Sequence, residues 1–72
     1  MNLGKVFRRV RDDNGLNQRE MAEKIGMTQA GVWKIESGKN IPRPDTIRSF
    51  CKAFGYTTAR LYIEALEPSD YE

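Results

Sequence analysis

Apolar residues recur along the chain at helical spacing. Leu3, Val6, Phe7 and Val10 share one side of a 3.6-residue period with Lys5, Arg8, Arg9 and Arg11 between them, which predicts an amphipathic helix over residues 2–13. Asn14-Gly15 ends it. Met21, Ala22 and Ile25 give a second helix of about eight residues. Its start is marked by Asn17 with Glu20 three residues on, the spacing at which each side chain bonds the other's free backbone N–H. Gly26 ends that helix in a left-handed turn, and Thr28 caps a third, with Val32 and Ile35 as core positions and Ser37-Gly38 as its stop. Pro42 and Pro44 disfavour helix in the residues before them, so residues 39–43 form an extended loop. Pro44 then opens a fourth helix whose core positions are Ile47, Phe50, Cys51 and Phe54. Gly55 closes it, and Thr57 caps a fifth helix carrying Leu61, Tyr62 and residues 63–66. No run suggests a strand. The predicted fold is all-α, a compact bundle of five short helices over residues 1–66, followed by an acidic C-terminal tail over residues 67–72.

Residues 17–37 thus hold two short helices joined by a tight glycine turn, the layout of a helix-turn-helix. Neither helix is long enough to be stable alone, so both need mutual packing and a third helix behind them. The layout makes sequence-specific DNA binding the leading functional expectation.

Composition narrows the alternatives. A chain of 72 residues is one domain near the lower limit for independent folding, burying about 60% of its unfolded surface, so a second subunit would help it. It is 39% apolar and 31% charged, with no apolar stretch approaching the roughly 20 residues that span a bilayer, and a cytoplasmic location is expected. The single cysteine, Cys51, rules out an internal disulfide, and without any histidine there is no ligand set for structural zinc. No histidine base, nucleophile elbow, phosphate loop or dinucleotide glycine pattern is present, so neither enzyme activity nor a metal or cofactor is expected. The net charge of +2 conceals an asymmetry. Residues 1–60 hold all twelve Lys and Arg against six acids, while Glu64, Glu67, Asp70 and Glu72 lie in the last twelve residues. A basic body suits a polyphosphate, whose condensed counterions are released on binding.

The third helix has a face not needed for the core. At about 100° per residue from Gln29, Trp33 falls near 40°, Ala30 near 100° and Lys34 near 140°, with Val32 and Ile35 on the opposite arc. Gln can bond adenine N6 and N7, Lys can reach guanine O6 and N7, and Ala can touch a thymine methyl. Trp33 leaves three readings open: packing on sugars or thymine methyls, contact with a protein partner, or folding back over the second helix. Arg8 and Arg9 read as solvated positive charges, whereas Phe50, Cys51 and Phe54 read as core.

Asn17-Gln18, Glu20, Ala22, Gly26, Thr28-Gln29, Val32, Ile35-Glu36 and Gly38-Lys39 together resemble the helix-turn-helix family of the lambdoid phage repressors and Cro proteins, the XRE family. The similarity extends over residues 3–63. It implies a lambda-repressor-like DNA-binding domain that acts as a homodimer on a near-palindromic operator, with its third helix in the major groove and its second spanning the backbone. By resemblance, Gln29 is the principal base-reading residue, with Ala30 and Lys34 at other readout positions and Thr28 and Trp33 beside them. Asn17, Gln18 and Lys39 resemble backbone contacts. Arg43 takes that role in a loop unlike that of the phage repressors, and Ser37 stands where some of them carry a phosphate-contacting Asn. Arg11 and Glu36 match a buried ion pair between the first and third helices.

Tyr56, Leu61, Tyr62, Ile63 and Leu66 exceed what so small a core is expected to bury, which marks them for a dimer interface. Half-sites would then lie about 34–36 Å apart. A regulator, most simply a repressor occupying its operator, follows from these features. The competing class is a protein-interaction module on the same fold, such as an antitoxin or an antagonist of a related regulator; retention of Gln18, Gln29 and Lys39 argues against it.

Overall fold

Four of the helices begin on a side-chain cap that satisfies an otherwise unpaired backbone donor. Asn2 Oδ1 accepts from Lys5 N at 3.0 Å, Thr28 Oγ1 from Gly31 N at 3.1 Å and Thr57 Oγ1 from Arg60 N at 3.1 Å. Asn17 and Glu20 form the reciprocal box, at 2.8 and 2.9 Å. Each such cap contributes about 1 kcal/mol. Pro44 opens the remaining helix without a side-chain cap, its missing N–H being one of those no helix can pair.

The computed structural model describes residues 1–70. Its helices are α1 (Leu3–Asp13), α2 (Gln18–Ile25), α3 (Gln29–Glu36), α4 (Pro44–Phe54) and α5 (Thr58–Ala65), with a 3₁₀ turn at Pro68–Asp70. Among the described residues there is no strand. α1 packs on α3 and α5, α2 on α3 and α4, and α4 on α5, around a core centred on Phe7, Phe50, Met21, Leu61, Val6 and Val32. Phe7 and Phe50 stack with ring centroids 4.2 Å apart.

Gly4 fixes how closely α1 crosses the end of α3. A Cβ at that position would lie 2.2 Å from the backbone oxygen of Ile35 and 3.3 Å from Glu36 Cα, so no other residue fits without moving one helix. Pro42 is buried as well, tucking the loop before α4 against the body.

Three expectations change. Leu61, assigned above to a dimer interface, is fully buried: with Ala65 one turn later it closes the core beneath α5 and offers nothing to a second subunit. Phe54, expected in the core, is only half-buried at its edge, with the Lys24 ammonium 5.8 Å from its ring centroid. Arg9, expected to be merely solvated, belongs to a clasp joining α1 to α5. It donates to Glu64 Oε1 and, at 3.4 Å, to the Tyr56 hydroxyl. The Tyr56 hydroxyl donates to the same carboxylate at 2.7 Å, and Arg60 donates to it at 2.8 Å while lying over the Tyr56 ring. The Tyr56 hydroxyl, then the Arg60 and Arg9 guanidiniums, hold the Glu64 carboxyl below the usual carboxylate range.

The acidic segment folds back on the amino terminus. Asn2 N donates to the Ala65 carbonyl at 2.7 Å, and the amino group of Met1 pairs with Asp70. That ammonium, with the Glu67 backbone N–H, lowers the Asp70 pKa. Tyr71 and Glu72, the last residues of the expected tail, lie outside the described residues.

Candidate nucleic-acid interface

Gly26, at φ +70°, turns the chain between α2 and α3, so that α3 lies across α2 with Val32 and Ile35 inward. Gln29, Ala30, Trp33 and Lys34 consequently all face outward, and Trp33 is 45% exposed. Folding of Trp33 back into the body is thereby set aside. Thr28 is exposed too, but its hydroxyl accepts the Gly31 N–H in the α3 cap.

The end of α3 is anchored from behind. Arg11 donates to Glu36 through Nε at 2.7 Å and Nη2 at 2.9 Å, a bidentate pair, and through Nη1 to the Leu16 carbonyl at 3.0 Å. The side chains are 14% and 5% exposed. Glu36 raises the Arg11 pKa further above its ordinary value, so this cation is permanent. Gln18 Nε2 also donates to Glu36 Oε1, at 3.3 Å, tying the first residue of α2 to the last of α3.

Two open hollows adjoin on this face. One, of about 460 Å³, is lined by Gln18, Gln29, Ala30 and Trp33. The other, of about 220 Å³, is lined by Arg8, Arg11, Gln18, Trp33, Glu36 and Ser37. Gln18 and Trp33 form the wall common to both. Lys39 arches over the Trp33 ring with its ammonium 4.8 Å from the centroid, a cation–π contact. Ser37 Oγ donates to the Lys34 carbonyl at 3.2 Å and so finishes α3. Asn17 caps α2 with its Oδ1, which leaves it the donors of its amide nitrogen. Arg43 is exposed immediately before α4.

Gln18, Gln29, Ala30, Trp33 and Ser37 are therefore brought together around these hollows, with Lys39 against the Trp33 ring. Among the described residues Lys34, Lys39 and Arg43 have no acidic partner, whereas Arg9, Arg11 and Arg60 are all paired. Arg19, Lys24, Arg48 and Lys52 are likewise without one, so the unpaired positive charge is spread over α2, α3, the loop after α3 and α4 rather than over α5. Arg8 was missed from sequence; lying three residues before Arg11 on α1, it shares that residue's stripe and borders the smaller hollow. Of the residues expected at a dimer interface, Ile63 and Leu66 are 67% and 40% exposed, and Tyr56 and Tyr62 are half-buried.

A sequence profile described as a helix-turn-helix domain matches residues 2–61, most of the chain. The clp gene regulator ClgR of C. glutamicum superposes with a TM-score of 0.77 at 31% identity, over 89% of this chain and 83% of that one. The chain belongs to the helix-turn-helix family, in its XRE-type form. Further relatives are the HTH-type transcriptional regulators PuuR of Escherichia coli and of Shigella flexneri, each 30% identical over 67 residues, or 93% of this chain. Their own length is greater: the chain spans 36% of each. In this helix-turn-helix protein the motif is α2, the Gly26 turn and α3. Among the described residues no group of His, Cys, Asp or Glu side chains is arranged to hold a metal ion. Among the described residues no helix is long and apolar enough to cross a membrane.

Proposed function

We propose that the chain is a sequence-specific, double-stranded DNA-binding transcriptional regulator, acting in the cytoplasm as a homodimeric repressor on a near-palindromic operator. α3 enters the major groove and α2 crosses the backbone. The observation that carries this reading is the outward face of α3, where Gln29, Ala30, Trp33 and Lys34 are all exposed and the Lys39 ammonium lies against the Trp33 ring. Gln29 and Lys34 supply bidentate and donor chemistry for base edges, and Asn17, Gln18, Lys39 and Arg43 supply phosphate donors; Ser37, expected among them, donates its one O–H to the Lys34 carbonyl.

Selection of bound duplexes from random DNA at low salt tests the proposal, which fails if no palindrome is enriched. On the enriched duplex, Gln29→Ala is expected to relax preference at one base position per half-site, losing about 1–3 kcal/mol of discrimination there. Arg43→Ala should instead weaken all sequences alike and lower the salt slope by about one. Equal behaviour of the two variants would refute the division into base and backbone contacts.

The second subunit would sit on the outer face of α5, where Ile63 and Leu66 are exposed and Tyr62 half-buried. Sedimentation at micromolar concentration is expected to give a dimer for the native chain and a monomer for Ile63→Asp and Leu66→Asp. Both variants keep the core intact because neither residue is part of it. Native mass in both variants would remove this interface.

A further inference from the structure

We infer that Trp33 is a specificity-determining residue of this interface, touching the 5-methyl group of a thymine with the part of its ring that Lys39 leaves bare. The inference rests on the DNA reading above and adds what chemistry that one side chain recognises.

Trp33 is the single tryptophan of the chain, and among the described residues it is the one aromatic ring in the set of exposed large apolar side chains. Its place is particular. With Trp33, one hollow is lined by Gln29 and Ala30, residue types that meet base edges, and the other by Arg8, which carries donors suited to phosphate; Gln18 lines both. The ring therefore stands where the groove floor meets the sugar–phosphate wall. The Lys39 ammonium lies over one ring face at 4.8 Å. It covers that face with a hydrated charge, which disfavours stacking of a base there. What remains is apolar surface and a single N–H donor, with no acceptor. In the major groove the apolar group that a base pair offers is the thymine 5-methyl. Ala30, three residues earlier on α3 and on the same hollow, extends the apolar strip. A protein partner would have to seat this ring between Arg8 and Lys39, beside a Glu36 already neutralised by Arg11, a setting that favours a polyanion.

The test replaces each thymine of the selected duplex, one at a time, by deoxyuridine, which removes the methyl and nothing else. Binding of the intact native chain is expected to weaken about fourfold at one position per half-site, the value of one buried methyl group. Trp33→Ala should bind the thymine and deoxyuridine duplexes equally at that position while keeping its preferences elsewhere, and Trp33→Phe, which retains an apolar ring, should recover part of the difference. Because the ring is largely outside the core, the circular-dichroism melts of both variants should match that of the native chain. A preference for a thymine-free half-site, or a deoxyuridine effect that persists in Trp33→Ala, overturns the inference and leaves the DNA reading standing. So does a uniform loss across all duplexes, which would place the ring on sugars, or no loss at all, which would assign it to a protein partner. Failure of the selection to enrich any sequence overturns the DNA reading itself.

Discussion

Glu36→Ala is expected to lower the stability of the chain by about 3–5 kcal/mol, the usual consequence of removing one partner of a buried ion pair. For a domain of this size the total is about 4–11 kcal/mol, so the loss removes a large share of it. The loss arises from what stays behind. Arg11 would keep the Leu16 carbonyl at 3.0 Å but face a cavity where two charge-assisted hydrogen bonds had been. Asp12, 3.6 Å from Arg11 Nη1, replaces little because it is 59% exposed and screened by water. The paired replacement Arg11→Met with Glu36→Leu removes both desolvated charges and should regain most of the loss. Urea unfolding of the single and paired variants decides the matter. Equal destabilisation in both would mean that packing, rather than an orphaned charge, dominates the site. The paired variant should also bind DNA less well than its stability suggests, because Gln18 loses the carboxylate that orients its amide.

Phe50→Ala should cost a comparable 3–5 kcal/mol through a different cause, an unfilled cavity. Its ring is fully buried, stacked on Phe7, tilted against Phe54 at 5.1 Å and edge-on to Tyr56 at 5.5 Å. Truncation removes contacts to three rings, Phe7 on α1 and Phe54 and Tyr56 at and just beyond the end of α4, so collapse cannot refill the space from one side. At 4–8 °C per kcal/mol for so small a domain, the melting temperature should fall by roughly 12 °C or more. Phe54→Ala, at the half-buried margin of the same cluster, is the control and should cost clearly less. Similar melting temperatures for the two would contradict the ranking by burial.

Where each helix starts and stops was legible because those signals are local: Asn17 with Glu20, Thr28, Pro44 and Thr57 act through hydrogen bonds spanning three residues or through a fixed φ. Which face of α3 points outward was legible for the same reason, since Val32 and Ile35 orient the helix. What escaped depends on partners distant in sequence. Arg8 and Arg9 are neighbours of the same type, yet one borders the α3 hollow and the other joins the α5 clasp, because α1 meets α3 and α5 on different sides. Leu61 and Ile63 are two residues apart, so helical geometry sends them to opposite sides, but only the position of α5 against α1 decides which is inward. Gly4 reads in sequence as a weak helix residue. Its reason is the α3 backbone 2.2 Å from where its Cβ would be.

α3 is eight residues long, about 12 Å of helix, which spans three to four base pairs at 3.4 Å each. Reading four base pairs outright distinguishes one sequence in about 256, while a genome offers on the order of a million competing sites or more. A single chain is therefore an address with too few digits. Two chains on a palindrome raise the count to one in about 65,000, still short, so the missing information has to be carried by how easily the intervening DNA bends and twists. On the operator proposed above, the uncontacted middle would be part of the message for a helix this short.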